Sequence, residues 1–407
     1  MTSSLGDHFD EPSPPAAPAE AEDIWHDAWR FYRPGQFRFL VGQHWELYLI
    51  LAVYLGVGFI IDACYSEIAV VKLGLYNEVL RISVVAFLSF GGCGVAVMTM
   101  LRADRKRSLL RQVFGRLAEF VAFERLAPFA AVILFIHVFA SLFTSLKTMI
   151  PHLHPFAWDH TFMQWDQSVH FGRHPWEWLQ PLASPLFTFA INFAYNLWMF
   201  VMFAVLLWQA WSTNRQLRKQ YLICFELCWI LIGTVGATVL SSAGPCYYAR
   251  VTGETNDPYA AQMKYLYDVH EHHFPVFALD VQEKLWEGYA ADFLGIQPAE
   301  LEVGKHPGDR LFVGISAMPS LHVSIAVLMA LVGWSTNCWL GIVLSIFALS
   351  IQLGSVYLGW HYAIDGYLSA VLTVILWFAV GRLLRWSRGR DETPPVANST
   401  AAARAVR

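Results

Sequence analysis

Long apolar runs separated by short polar segments dominate the hydrophobic pattern of this chain. A helix needs roughly 20 mainly apolar residues to cross the hydrocarbon of a bilayer, and eight stretches approach that length. They lie at about 46–64, 82–101, 127–149, 185–209, 221–242, 317–334, 338–358 and 363–384. The sixth is the shortest. The pattern predicts an all-α integral membrane protein with about eight transmembrane helices.

The composition agrees with this prediction. Apolar residues make up 56% of the 407 residues and charged residues only 15%, whereas a soluble globular chain carries about 25% charged residues. The net charge of −4 gives no reason to expect a nucleic-acid partner. The six cysteines show no metal-ligand spacing, so neither a metal site nor a disulfide framework is expected from them.

The segments outside the apolar runs differ in composition, and each composition predicts a different structure. We predict a largely disordered cytoplasmic tail over residues 1–45 and a second over 385–407, because both ends are rich in residues that disfavour a packed core. The N-terminal segment lacks the basic and apolar regions of a signal peptide. Segment 157–181 carries four tryptophans among charges and histidines, which is typical of a helix in the membrane interface.

Lysine and arginine are retained mainly on the cytoplasmic side of a membrane, so their distribution predicts the orientation. With the N-terminus inside, 19 of the 28 fall in cytoplasmic segments. We therefore expect both termini in the cytoplasm, in a plasma (inner) membrane. Three polar segments at the ends of spans five to eight then share the non-cytoplasmic face. They contain the candidate residues Gly244, Pro245, Tyr248, Arg250, Arg310, Ser320, His322, His361 and Asp365.

The two histidines and the aspartate suggest a chemistry. His361 and Asp365 are four residues apart, which places them on one helical face. A carboxylate bonded to one ring nitrogen fixes the tautomer and makes the other nitrogen more nucleophilic. His322 comes from another helix and could protonate a leaving alkoxide, then deprotonate the incoming water or alcohol. These residues predict phosphoryl transfer through a phosphohistidine.

A phosphoryl group also needs hydrogen-bond donors and a cation. Ser320 and the free amides of a helix N-terminus are the candidate donors, and Pro319 suits the first turn of that helix. Arg310 and Arg250 are the candidate cations. We expect the segment that begins with Gly244, Pro245 and Tyr248 to shape the substrate pocket.

Other interpretations stay open. Two histidines and one carboxylate could hold a ferrous or zinc ion. His270 to His273, with Glu271 among them, look like a metal cluster, although adjacent residues point in different directions. We predict no bound metal and no cofactor. The alternative function is a transporter or non-catalytic scaffold, a class that favours polar or broken helices at mid-membrane in paired halves.

At the histidine motifs the chain resembles the type 2 phosphatidic acid phosphatase superfamily. Residues 319–322 (Pro-Ser-Leu-His) and 361–365 (His-Tyr-Ala-Ile-Asp) look like its second and third signatures, and the first of these is most similar to the inositol phosphorylceramide synthase-like (inositol phosphotransferase) branch. The resemblance implies His361 as nucleophile, Asp365 as its partner and His322 as acid and base, without a metal. It also implies a six-helix catalytic core over 127–384, preceded by an N-terminal helix pair at 46–101.

Two features of the superfamily are absent. The common phosphatases carry a Lys-x6-Arg-Pro signature, whose place is taken here by Gly244-Pro245-Cys246-Tyr247-Tyr248. Gly354-Ser355 stands where a Ser-Arg pair usually precedes the last histidine. The phosphate-binding residues therefore do not transfer from the superfamily. The resemblance still implies a lipid phosphate or phospholipid as substrate, with water, a polyol or a glycolipid hydroxyl as acceptor.

The predicted orientation can be tested by cysteine labelling in intact cells. In a cysteine-free background, Glu271→Cys lies in the long non-cytoplasmic loop and should react with a membrane-impermeant thiol reagent. Thr213→Cys lies in the predicted cytoplasmic segment 210–220 and should react only after permeabilisation. The reverse pattern would overturn the orientation and, with it, the compartment proposed for the chemistry.

Overall fold

The computed structural model describes residues 42, 44–65, 71–104, 108–295 and 314–391. Most of the two predicted tails, and Arg310, lie outside the described residues. Within that part of the chain the regular structure is entirely helical. In chain order the α-helices are α1 (Trp45–Cys64), α2 (Asn77–Leu101), α3 (Leu109–Phe120), α4 (Phe123–Thr148), α5 (Ile150–Leu153), α6 (Asp159–Val169), α7 (Pro175–Leu179), α8 (Pro185–Trp211), α9 (Arg215–Leu227), α10 (Tyr248–Thr252), α11 (Ala260–His272), α12 (Phe277–Phe293), α13 (Leu321–Trp334), α14 (Cys338–Tyr357) and α15 (Ala363–Asp391).

Seven helical segments of the described chain are long and apolar enough to cross a membrane: α1, α2, α4, α8, α9 with its continuation to Val239, α14 and α15. They coincide with seven of the eight predicted spans. The prediction of an all-α, multi-pass membrane protein is therefore confirmed. Large apolar side chains such as Phe90 and Phe200 are exposed on the outer surface of the bundle, where a bilayer would cover them.

The sixth predicted span is shorter than expected. Helix α13 has 14 residues, or about 21 Å at 1.5 Å per residue, and the predicted start at residue 317 is wrong. The N–H groups of Ala317 and Met318 donate to the carbonyl and the hydroxyl of Ser242, so this stretch belongs to a loop contact instead of a helical turn. Pro319 therefore precedes the helix and does not lie in its first turn. Ser320 is the N-cap.

Helix α13 lies at the centre of the bundle and packs against α8, α9, α14 and α15. Its residues Val323, Ile325, Leu328 and Met329 are buried. Because the neighbouring helices cover its N-terminal end, α13 can be short without exposing that polar end to lipid. Its N-terminus, which carries His322, therefore lies in the interior of the protein.

Helix α9 continues without a break through a π-helical segment, Cys228–Gly236, and a last helical turn, Ala237–Val239. Such i→i+5 segments are rare and are found preferentially at functional sites. Helix α1 packs against α4 and α9, and the Tyr54 hydroxyl bonds to Thr234 in the π segment at 2.8 Å. The chain leaves this helix at the polar segment that follows span five.

The segment predicted to lie in the membrane interface, 157–181, forms the short helices α6 and α7. Helix α6 has two different sides. Trp165 is half-exposed, whereas Asp159 and Asp166, seven residues apart, are at most 2% exposed. A spacing of seven places these two carboxylates on the same side of the helix. That side contacts the loops that carry the candidate site.

Candidate active site

Three segments outside the α-helices meet at one end of the bundle: 241–247 after the π-helical span, which includes the short 3₁₀ helix Pro245–Tyr247, 314–320 before α13, and 358–362 between α14 and α15. Backbone hydrogen bonds join them. The N–H of Ala317 donates to Ser242 O at 2.9 Å, that of Cys246 to Gly359 O at 2.9 Å, and that of Ser320 to Asp365 O at 3.3 Å. The segments that contain or adjoin the described candidate residues therefore form one structural unit.

Asp159 of α6 holds two of these segments together. Its carboxylate accepts the N–H of Ala243 at 2.9 Å and the N–H of Gly244 at 2.8 Å. It also accepts the Tyr362 hydroxyl at 2.9 Å. Burial raises the pKa of Asp159, and these hydrogen bonds oppose that shift because they stabilise the carboxylate. The residue following His361 is thus fixed to the turn that contains Gly244.

Asp166 binds the same region from the next turns of α6. Its two oxygens accept the N–H groups of Ala363 and Ile364, both at 3.1 Å. These are among the first N–H groups of α15, which have no partner within the helix. Burial raises the pKa of Asp166 to about 6, and the two backbone bonds oppose the shift. The start of α15, and therefore Asp365, is held by a buried carboxylate.

His361 and Asp365 form the pair that the sequence predicts, but they do not share a helical face, because His361 lies in the loop before α15, which begins at Ala363. Nδ1 of His361 lies 3.2 Å from Oδ2 of Asp365, and the same oxygen accepts the Tyr362 N–H at 3.1 Å. A carboxylate accepts, so Nδ1 carries the proton and Nε2 keeps its lone pair. Burial lowers the pKa of His361 to about 3; the backbone of Ala317 opposes the shift and Lys147 adds to it. At neutral pH the imidazole is therefore neutral.

His322 approaches from the start of α13. Its ring packs against Tyr195, with ring centroids 5.0 Å apart, and against Trp198, at 4.3 Å. The Trp198 indole N–H donates to the His322 carbonyl at 3.0 Å. The ring centroids of His322 and His361 are 6.3 Å apart. The two imidazoles are close enough for one bound group to contact both, His322 from the first turn of α13 and His361 from the loop before α15.

Both histidines line a cavity of about 260 Å³. Its polar lining includes Lys147, Asn196 and Ser316 besides the two imidazoles. Much of the remaining wall is aromatic or aliphatic and is formed by α4, α8, the π segment, α12 and α13, with Phe143, Trp198, Met199, Trp229, Leu285 and Leu321 among the contributors. Tyr76, at the start of α2, also reaches this cavity. The lining is thus mainly apolar, with a few polar groups that include both imidazoles.

Several predicted site residues lie outside the lining of this cavity. Ser320 is buried, and its hydroxyl accepts the Val323 N–H of its own helix. Arg250 pairs with Glu283 at 3.0 Å and stacks on Trp286. Gly244, Pro245 and Tyr248 do not line the cavity, although their neighbours Ala243 and Tyr247 do. Arg310 is outside the described residues.

Lys147 was not recognised as a site residue from the sequence, where it counts only toward the orientation of the spans. It lies in the last turn of α4 and is half-buried. Asp159 and Asp166 were missed as well. For these two, the spacing of seven in a Trp-rich interfacial segment is the signal that could have found them. For Lys147 the sequence offers only a cation at the very end of an apolar run, which does not distinguish a site residue from an orientation signal.

Within the part of the chain that the structure describes, no group of three histidine, cysteine or acidic side chains is arranged to hold a metal ion. The 270–273 segment, which looks like a metal cluster in the sequence, forms the end of α11, with His273 as the C-cap. His270 Nδ1 accepts the Val276 N–H there at 3.1 Å. His270 therefore has a structural role, as the acceptor of a backbone hydrogen bond.

A family model described as the PAP2 superfamily matches residues 160–379. The matched range covers more than half of the chain and includes His322, His361 and Asp365. Lys147 and Asp159 lie just before it. No curated protein and no solved structure matches the chain.

The close approach of the three segments predicts the effect of a substitution at Gly244. Gly244 has φ of +100°, and a Cβ added there would lie 2.6 Å from the Trp360 carbonyl oxygen. Gly253 also has positive φ, +71°, but a Cβ there would meet nothing within 4 Å. Gly244→Ala should destabilise the protein by about 1–3 kcal/mol or more, since backbone strain and a clash combine. Gly253→Ala introduces the backbone strain without the clash.

Thermal unfolding of the two variants in detergent measures this difference. The midpoint of Gly244→Ala should fall clearly below that of Gly253→Ala. Equal midpoints would show that the 241–247 and 358–362 segments do not pack as described.

Proposed function

The chain belongs to the PAP2 superfamily, and on that basis we propose that it is a membrane lipid phosphatase or lipid phosphotransferase acting through a phosphohistidine at His361. The observation that carries the proposal is the arrangement of the two imidazoles. One has a carboxylate on Nδ1, the other comes from a separate helix, and both line one cavity. Superfamily membership supports phosphoric ester chemistry; the nucleophile and the acceptor are our inference.

In the first step, Nε2 of His361 attacks phosphorus and the bond from phosphorus to the lipid oxygen breaks. Asp365 stabilises the positive charge that develops on the ring, because it accepts the Nδ1 proton in a hydrogen bond. His322, which enters this step as the imidazolium, donates a proton to the departing oxygen, so the lipid leaves as a neutral alcohol. Phosphorus is then bonded to His361.

In the second step, His322 takes a proton from the incoming hydroxyl, whose oxygen attacks phosphorus as the bond to His361 breaks. Water gives inorganic phosphate, and an alcohol gives a new phosphate ester. Each histidine ends in its starting state. The mechanism needs no redox partner and no metal, because the histidine supplies the nucleophile and protein groups supply the charge stabilisation.

The cavity supports a lipid as substrate. It contains both imidazoles, and most of its lining is aromatic or aliphatic and comes from helices that are long and apolar enough to span a membrane. Apolar groups of a lipid are favourably buried against such a wall. We further propose an acceptor of the polyol type, such as inositol, or a glycolipid hydroxyl, following the similarity of residues 319–322 to the inositol phosphorylceramide synthase-like branch.

Trapping the phosphoenzyme tests the division of labour between the histidines. With an aryl phosphate whose phenol is acidic, His322→Ala should still become labelled, because a good leaving group needs little of the about 10²–10⁴-fold contribution of general acid catalysis. His361→Ala should carry no label. The label should be acid-labile and should form in excess chelator. Label on His361→Ala, an acid-stable label, or loss of labelling on chelation would contradict the proposal.

A chase of the labelled enzyme distinguishes the two reactions. After removal of free substrate, water alone should release phosphate if the protein is a phosphatase. Inositol should divert the label into an inositol phosphate ester if the protein is a transferase. Wild type labelled by the natural lipid serves as the control for the artificial leaving group. A label that neither water nor any hydroxyl compound removes would show that it is not an intermediate.

A further inference from the structure

The lining of the cavity carries a positive charge that no acidic side chain of the described lining balances. Lys147 is the only charged side chain among the described residues that line it, and no aspartate or glutamate lines it. Among the described residues no ion pair involves the Lys147 ammonium. A cation within a membrane-embedded cavity is costly unless an anion accompanies it. The cavity therefore favours a negatively charged occupant beside the two histidines.

The position of Lys147 is fixed by the same loops that hold the histidines. Gly314, with φ of +110°, lies against the last turn of α4: a Cβ added there would lie 3.1 Å from Lys147 Cγ and 3.2 Å from its carbonyl carbon and oxygen. Only glycine allows this approach without strain. The segment that leads into α13 and His322 is thus packed directly on Lys147.

Arg250, one of the two cations expected from the sequence, forms its contacts elsewhere in the described structure. The Arg250 guanidinium pairs with Glu283 and lies 5.1 Å from the Trp286 ring centroid. Lys147 faces the histidines instead, and its charge contributes to the low pKa of His361. Lys147 is therefore near enough to His361 for both side chains to contact the same bound anion.

We propose that Lys147 binds the phosphoryl group of the substrate, donating its N–H groups to the phosphate oxygens while His361 attacks phosphorus. This inference rests on the proposed function for its consequence in turnover, but the binding step can be measured without it. Lysine offers a point charge with three donors, which suits an anion approached from one side. The charge also stabilises the added negative charge in the transition state.

Equilibrium binding of radiolabelled inorganic phosphate to purified protein in detergent tests the proposal directly. The measurement uses the His361→Ala background, in which no covalent intermediate can form. Addition of Lys147→Met should weaken phosphate binding by about 10- to 100-fold, the range expected when a charge-assisted hydrogen bond is lost. Addition of Lys284→Met, which removes an exposed lysine of α12, should leave binding unchanged.

A chemical rescue guards against misfolding of the lysine variant. Lys147→Cys, treated with 2-bromoethylamine, regains an ammonium on a side chain of nearly the same length and should regain phosphate binding. The same treatment of the parent protein, which keeps its six cysteines, should have no effect. Phosphate binding by Lys147→Met as tight as that of its parent would overturn the proposal, as would rescue by an uncharged alkylating reagent.

The outcomes separate this inference from the proposed function. If wild type never forms a phosphoenzyme but its phosphate binding depends on Lys147, the anion site stands and the catalytic proposal fails. If Lys147→Met forms phosphoenzyme and binds phosphate as wild type does, the catalytic proposal stands and the role of Lys147 fails.

Discussion

Buried backbone N–H groups outside helices must find acceptors, and in the interior of a membrane protein water supplies few of them. The candidate site consists of three such non-helical segments, and the carboxylates of α6 meet much of this requirement. Asp159 takes the N–H groups of Ala243 and Gly244, and Asp166 takes those of Ala363 and Ile364. Without these acceptors, two loop N–H groups and two N–H groups in the first turn of α15 would lack partners, at a cost of about 1–3 kcal/mol for each that is buried.

This arrangement also positions the reactive groups. Tyr362 is bound through its hydroxyl to Asp159 and through its N–H to Asp365, so the residue beside His361 has little freedom. His322 is held by its backbone bond to Trp198 and by stacking on Tyr195. Rigid placement of both imidazoles before substrate arrives reduces the entropy lost on reaching the transition state. Structural carboxylates and proposed catalytic residues therefore form one connected network.

The sequence predicted most of the fold, since apolar length alone defines membrane spans, and it identified the superfamily through two short motifs. It placed the start of α13 wrongly because Ala317 and Met318 bond to Ser242, a partner some 75 residues away. Lys147 was not identified as a site residue for a similar reason. A lysine at the end of an apolar run looks like an orientation signal until the fold brings it to the histidines, and no local pattern encodes that contact.

The central claim is that His361, His322 and Lys147 surround one phosphoryl-binding position. A cryo-electron microscopy structure with orthovanadate, which adopts the five-coordinate geometry of phosphoryl transfer, tests it most directly. We expect vanadium density bonded to Nε2 of His361, with an axial oxygen toward His322 and an equatorial oxygen within hydrogen-bonding distance of the Lys147 ammonium. Vanadate bound to another side chain, or in this cavity but away from His361 and Lys147, would contradict it.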